Sequence, residues 1–269
     1  MPVALDVVIP CYNAAATLTR AAESALAQAQ VRHVWLIDDA STDHSPQIIS
    51  RLTTASNRIF SARLPDNGGV SRARNWGLLQ SNADYIAFLD ADDAYETGAL
   101  AAATVALAQH PQLGLVRLKL KAVGLPARYA GHPKLPEAWQ RLEMTVGGNT
   151  VFRRSLLLAC GGFPADELFK RFGGEDAALG IALTRSSIVG TLFGANEPAV
   201  LHYYRPGMHA ERLLDAALFA QTAPRISAAD LAAAEAVSQR ISRQLTDLHA
   251  CLTPPQTGIM PLFPERPPA

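Results

Sequence analysis

The 269-residue sequence is 49% hydrophobic and 18% charged, enough apolar material for one full α/β core with additions. Its 24 Lys and Arg balance 24 Asp and Glu, so no net charge draws it to a nucleic acid or an anionic membrane surface. Cys11, Cys160 and Cys251 are too few and too scattered for a disulfide framework or a zinc site, which points to a reducing compartment, the cytoplasm. The amino terminus lacks the charged-then-apolar pattern of a signal peptide, and the weakly polar run from Ala99 to Ala108 is about half a bilayer span. No transmembrane segment is expected; peripheral membrane contact, at the inner face, stays open.

Leu5 to Ile9 is a compact apolar run broken only by Asp6 and closed by Pro10, Cys11, Tyr12 and Asn13. Leu18, Ala22, Ala25, Leu26 and Ala29 then recur at helical spacing. The unit repeats: Val34 to Ile37 runs into Asp38 to Asp43, and Ser45 with Pro46 reads as cap and first turn of a helix carrying Ile48, Ile49 and Leu52. Ile59 to Leu64 makes a weaker strand, and Asp66 to Gly69 turns into a helix containing Arg72, Arg74 and Asn75. The fourth strand, Tyr85 to Leu89, ends in Asp90, Asp92 and Asp93. Alternation with short connections implies a mostly parallel, doubly wound sheet whose ligand crevice lies outside the carboxyl ends of the strands. The four polar clusters should therefore share one rim.

The first turn has no glycine, so neither a dinucleotide fingerprint nor a P-loop is present, and a phosphate bound here would need a metal. Asp90 and Asp92 at one strand end can share a hard divalent cation, although a solvated acidic turn opening a helix is the plainer explanation of such a cluster. Arg72 and Arg74 could add charge-assisted contacts to a phosphate.

An alanine-rich helix runs to about His110, and Val116, Leu118 and Leu120 alternate with Arg117, Lys119 and Lys121 as in a half-exposed strand. Residues 124–148 resist assignment apart from a short helix near Glu137 to Leu142. Glycine pairs at 147–148, 161–162 and 173–174 allow close backbone approach to a ligand, and Glu175 with Asp176 opens a helix holding Ala178, Ile181 and Leu183. Val200 to Tyr204 reads as a strand. Glu211 to Ala220 and Ser227 to Leu252 read as amphipathic helices, the second with Leu231, Ala234, Ile241, Leu245 and Leu248 near one face. The tail beyond Thr253, with Pro254, Pro255, Pro261, Pro264, Pro267 and Pro268, is expected to be extended or without fixed structure.

Taken together, the segments VVIPCYN (Val7 to Asn13), IDDASTD (Ile37 to Asp43), DNGGVSRARNWG (Asp66 to Gly77), YIAFLDADD (Tyr85 to Asp93), Val151 to Pro164 and GED (Gly174 to Asp176) resemble those of family 2 glycosyltransferases, in family order. The resemblance implies the A-type glycosyltransferase fold, with a Rossmann-like nucleotide-binding half and here a C-terminal helical extension, and an inverting transfer from a nucleoside-diphosphate sugar, a UDP-sugar by expectation, to a glycan or lipid-linked hydroxyl in surface polysaccharide or lipopolysaccharide assembly. It implies that Pro10, Tyr12 and Asn13 line the nucleoside pocket, that Asp39 binds the base, and that Asn67 and Arg74 sit near base or phosphates. Asp90 and Asp92, flanking Ala91, would hold Mg²⁺ or Mn²⁺ against the diphosphate, with His209 or His202 as third ligand. Asp176 would be the catalytic base. Residues 1–210 would form the transferase domain, split near residue 110 into donor and acceptor halves, followed by helices over 211–252 and a tail over 253–269.

A carboxylate at a helix start is expected to have a lowered pKa, leaving Asp176 ionised but weakly basic. Two alternatives stay open: a non-catalytic nucleotide- or glycan-binding module of the same fold, and a nucleotidyltransferase, although the latter would carry a glycine-rich basic loop after the first strand.

Overall fold

The computed structural model describes residues 4–220, 226–250 and 258–262; Cys251 and the prolines Pro254, Pro255, Pro264, Pro267 and Pro268 lie outside them. The first part of the chain gives β1 (Leu5–Cys11), α1 (Leu18–Leu26), β2 (Val31–Asp38), α2 (Ser45–Ala55), β3 (Ile59–Arg63), α3 (Val70–Gln80) and β4 (Tyr85–Phe88). β1 pairs in parallel with β2 and β4, and β2 with β3, so the spatial order is β4-β1-β2-β3. That order reverses direction between β1 and β4, which opens a crevice at their carboxyl ends.

Every residue of β1 is buried because helices cover both faces of the sheet. Val7 and Ile9 pack with Leu18, Ala21, Ala22 and Ala25 of α1, whereas Val8 points to the opposite core with Ala73 and Leu78 of α3. Asp6, the one polar residue of the strand, is buried at its amino end. It accepts from Arg32 Nε and Nη2 at 3.0 and 2.9 Å, Ser81 Oγ at 2.7 Å and Trp35 Nε1 at 3.3 Å. Ser45 does not cap α2. Its hydroxyl accepts the Ala14 N–H at 2.8 Å, and Asp43 Oδ1 takes the Ser45 N–H instead.

Beyond the acidic turn come β5 (Ala94–Tyr95), α4 (Ala101–Gln109), β6 (Leu113–Leu118), β7 (Leu120–Val123), α5 (Ala127–Ala130), α6 (Leu135–Thr145), β8 (Thr150–Arg153), α7 (Arg154–Ala159), α8 (Glu167–Phe172), α9 (Glu175–Ser186), β9 (Ile188–Leu192), β10 (Val200–Tyr203), α10 (His209–Phe219), α11 (Ala228–Ala250) and β11 (Gly258–Pro261). The large sheet reads β11-β9-β6-β8-β4-β1-β2-β3, with only β8 antiparallel to its neighbours; β5, β10 and β7 form a separate three-stranded sheet.

The structure departs from three further expectations. The alternating segment at Val116 is not half-exposed: β6 lies between β8 and β9 with both faces covered, every residue of it is buried, and Arg117 is 3% exposed. Exposure returns only in β7, at Lys121 and Ala122. Residues 124–148 hold two helices, α5 and α6, the second longer than its expected core. Within the tail, Gly258–Pro261 pairs in parallel with β9 as an edge strand, a position where a terminal proline forfeits no interior ladder bond.

α11 packs against α9, its Val237, Ile241 and Leu245 joining Ala178, Leu179 and Leu183 in one cluster with Ala234 beside it. Ser238 Oγ donates to the Ala178 carbonyl at 3.0 Å, and Arg240 grips Asp166 at 2.9 Å. Leu231 and Leu248, at the two ends of the expected stripe, are 61% and 44% exposed. Among the described residues no helix is long and apolar enough to cross a membrane.

Candidate active site

The loops after β1, β2 and β3 are tied to one another in sequence along the rim. Asn13, in the left-handed region at φ 51, accepts through Oδ1 from the Thr42 N–H at 2.8 Å and the Asp43 N–H at 3.3 Å. Buried Asp39 accepts from the N–H groups of Gly68 at 2.9 Å and Gly69 at 2.8 Å, one on each carboxylate oxygen, and its carbonyl takes Asn67 Nδ2 at 3.4 Å. Pro10 is buried within β1, whereas Tyr12, Asn13 and Asn67 are exposed on the rim. Asn13 and Asp39 therefore spend their side chains on building the rim loops.

The centre of the crevice is a cluster assembled from both parts of the chain. Arg74 of α3, 2% exposed, donates from Nη2 to Asp90 Oδ1 at 2.8 Å and from Nη1 to Asp176 Oδ1 at 2.6 Å, with Glu175 Oε1 at 3.7 Å. The guanidinium sits 5.0 Å from the Phe163 ring centroid, and Phe163 is itself held by paired backbone hydrogen bonds to the Asn75 amide. Burial works against the charge on Arg74, but Asp176, Asp90 and Glu175 together hold it protonated. Arg74 thus links the strand-end acid to the helix-start acid.

Asp176 Oδ2 accepts the Gly147 N–H at 2.9 Å. A Cβ on Gly147 would lie 2.6 Å from Asp176 Oδ1, and one on Gly148 would lie 3.0 Å from Asp90 Oδ2. What approaches this glycine pair is the protein's own two carboxylates. Gly173 and Gly174, at φ 73 and 94, turn the chain so sharply that α9 begins with both acids directed into the crevice.

The expected lowered pKa of Asp176 is overturned. Burial pushes its carboxyl up, against Arg74, and raises Glu175 to about 7 with help from the Asp176 charge. A helix start favours charge through the few N–H groups of one turn, whereas here three carboxylates share one buried guanidinium.

At the outer edge, Asp92 pairs with the exposed Arg205, and its carbonyl takes Arg20 Nη2, whose guanidinium lies 3.7 Å from the Tyr203 ring centroid. Asp93 is buried and bonded through Oδ2 to His202 Nδ1 at 2.7 Å and through Oδ1 to the Tyr203 N–H at 3.1 Å. Burial raises the Asp93 carboxyl to about 6 against the pull of His202. β10 and the arginine just beyond it therefore clamp the acidic turn, a contact between distant parts of the sequence that no local pattern announced.

His202 is committed to Asp93, and His209 opens α10 beside Gly173 with Nδ1 3.1 Å from Arg212 Nη2. Among the described residues no three His, Cys, Asp or Glu side chains form a group able to hold a metal ion, so the structure joins neither histidine to Asp90 and Asp92 as a third ligand. Asp90 and Asp92 by themselves are a pair of hard oxygen donors, each now neutralised by an arginine. As hard oxygen donors at one turn, Asp90 and Asp92 are the side chains that would hold Mg²⁺ or Mn²⁺, each ion pair giving way to the cation.

With this geometry established, comparison with known proteins is decisive for the family. A model of glycosyl transferase family 2 matches residues 6–158, more than half of the chain. The chain belongs to glycosyl transferase family 2. Among relatives of this family, an uncharacterized glycosyltransferase of Haemophilus influenzae is 40% identical over 90 residues, 33% of this chain and 36% of that protein. The succinoglycan biosynthesis protein ExoU of Rhizobium meliloti is 36% identical over 99 residues, 37% of this chain and 29% of the relative. The chain thus matches only about a third of these relatives' own length.

Solved structures extend the likeness to the whole fold. Staphylococcus aureus TarS residues 1–349 with UDP-GlcNAc aligns at TM-score 0.60 and 21% identity over 93% of this chain and 73% of that one. The mannosyltransferase PcManGT of Pyrobaculum calidifontis with GDP-Man and Mn²⁺ aligns at TM-score 0.60 and 18% identity over 93% and 76%. The mixed α/β architecture with its large central sheet is the A-type transferase fold.

Proposed function

We propose that this family 2 member is an inverting, metal-dependent glycosyltransferase that moves a sugar from a UDP-sugar to a hydroxyl of a glycan or lipid-linked acceptor. The observation that carries the reading is the buried Arg74 bridge, which fixes a strand-end carboxylate and a helix-start carboxylate at set positions across one crevice. The UDP-GlcNAc held by TarS and the Mn²⁺ held by PcManGT support the donor class and the metal. Relatives named for succinoglycan and teichuronic acid biosynthesis support a place in polysaccharide assembly.

Asp90 and Asp92 are the residues for Mg²⁺ or Mn²⁺, which when bound offsets charge developing on the departing diphosphate. Pro10, Tyr12, Asn13, Asp39 and Asn67 bound the nucleoside side of the crevice, with Ala91 between the two acids. Asp176 is the base. Its Oδ1 and Oδ2 are oriented by Arg74 and Gly147, and a carboxyl raised by burial is a better proton acceptor than an exposed one. It takes the acceptor hydroxyl's proton as that oxygen attacks the anomeric carbon, so one displacement inverts the configuration. Residues 1–110 supply the donor side and 111–210 the acceptor side, the latter backed by α10 and α11.

Incubation with a panel of nucleotide sugars tests this. Release of free nucleoside diphosphate, dependent on Mg²⁺ or Mn²⁺, is expected; pyrophosphate as product would indicate nucleotidyl transfer, and no turnover with intact nucleotide binding would favour a binding module.

A further inference from the structure

Arg117 is an anomaly of the core. It lies on β6, in the interior of the large sheet, with its side chain turned toward α9, and it is 3% exposed. Among the described residues it forms no ion pair. Its Nη1 donates to the carbonyls of Val146 at 2.9 Å and Glu143 at 3.3 Å and lies 3.4 Å from Thr150 Oγ1. Its Nη2 lies 2.7 Å from where a Cβ on Gly180 would stand, one helical turn after Asp176 on α9. Burial draws its pKa down to about 10, and Asp176 supplies the charge that opposes this. A buried cation without a bonded carboxylate is costly, and packing alone would be met by an apolar side chain of similar volume.

The carbonyl of Val146 and the N–H of Gly147 belong to one peptide unit. The unit is planar and trans, so holding its oxygen aims its N–H the opposite way. Arg117 holds the oxygen, and the N–H points to Asp176 Oδ2 at 2.9 Å. Two hydrogen bonds in line through one peptide also polarise each other, so the guanidinium charge strengthens the donor that reaches the carboxylate.

We infer that Arg117 is a positioning residue for Asp176, acting through the Val146–Gly147 peptide to fix the carboxylate's orientation. The inference rests on the proposed role of Asp176 as base. Arg74 holds Oδ1 from the crevice side, and Arg117 controls what holds Oδ2 from behind.

The test compares Arg117→Met, Arg117→Lys, Asp176→Asn and the double variant Arg117→Met/Asp176→Asn in the full chain. Amide exchange is followed over residues 143–150, UDP binding with Mn²⁺ by calorimetry, and UDP release from UDP-glucose, UDP-galactose and UDP-N-acetylglucosamine. Arg117→Met is expected to speed exchange over 143–150, leave UDP affinity unchanged and lower kcat about 10–100-fold, the usual cost of a slightly misplaced group. Lys should recover part of that loss, and the double variant should be no slower than Asp176→Asn alone. Unchanged exchange over 143–150 overturns the inference whatever the donor, and so does a double variant whose losses multiply. Full turnover by Asp176→Asn instead defeats the base assignment, while the exchange result still decides whether Arg117 holds the turn. If Arg117→Met does not fold, Gly180→Ala crowds the same guanidinium with a residue that favours helix, and the same faster exchange is expected.

Discussion

The two ends of the large sheet treat buried carboxylates in opposite ways. At the amino end, Asp6 is alone and meets four donors from Arg32, Trp35 and Ser81. At the carboxyl end, Asp90, Glu175 and Asp176 share one buried guanidinium, and burial raises both helix-start acids. The first arrangement over-supplies donors and serves stability. The second under-supplies them, leaving carboxyl groups whose protons are more readily held and passed on, which suits acid-base chemistry.

The largest expected effect falls on the amino end. Asp6→Ala strips the shared partner from Arg32, Trp35 and Ser81 and should cost about 3–5 kcal/mol of unfolding free energy, as breaking a buried ion pair does. Denaturant unfolding measures this, and turnover per folded molecule should be unchanged. A large loss of kcat at full folding would break the division between the two ends.

At the carboxyl end the order reverses. Asp176→Asn should lower kcat by about 10²–10⁴-fold, the range for general-base assistance, with UDP-sugar affinity and melting temperature nearly kept. Loss of donor binding in this variant would reassign Asp176 to a metal or structural role.

How far the sequence carries the comparison differs from element to element. β1 to β4 are legible because each is an apolar run ended by a polar cluster, and their order places those clusters on one rim. β8 and β9 are not: Thr150–Arg153 is four residues between a glycine pair and a helix, and Ile188–Leu192 follows α9 without a turn signal, so neither has a period to read. Alternation around Arg117 suggests exposure because it shows which residues share a face but not whether that face is covered. For the site, the strand-end and GED acids are visible as types at their positions. Their pairing through Arg74, the Gly147 tie, the clamp of Asp93 by His202 and the raised state of Asp176 depend on contacts across the fold that no local window contains.

Glu175 separates the two ends of the sheet through pH. Burial first, then the Asp176 charge, raises its carboxyl from 4.5 to about 7 in the folded chain. Between those values the folded state binds more protons than the unfolded one. The stability linked to Glu175 is therefore full below pH 4.5 and is lost as pH rises toward 7. Each tenfold change in proton affinity between the two states is worth about 1.36 kcal/mol. Glu175→Gln should leave the melting temperature at pH 4.5 nearly unchanged and stabilise the chain at pH 8 by about 1–3 kcal/mol. Equal effects at both pH values would show that Glu175 is not held protonated by its surroundings.

The smallest effect on stability belongs to the outer edge of the same end, where Arg205 is exposed and pairs with Asp92. An exposed ion pair contributes below about 1 kcal/mol, so Arg205→Gln should hardly move the melting temperature. Its effect should appear in ligand binding instead. If Arg205 serves as the resting counter-ion of Asp92, removing it frees a carboxylate for Mn²⁺, and the concentration of Mn²⁺ that half-saturates UDP binding should fall. If Arg205 instead contacts the diphosphate directly, UDP affinity at saturating Mn²⁺ should fall, because a charge-assisted contact is lost. Calorimetric titration of UDP at several Mn²⁺ concentrations separates the two. Unchanged binding at every concentration would mean that the Asp92 pair belongs with the structural arrangement at Asp6, and that the division between the ends of the sheet runs through the acidic turn itself.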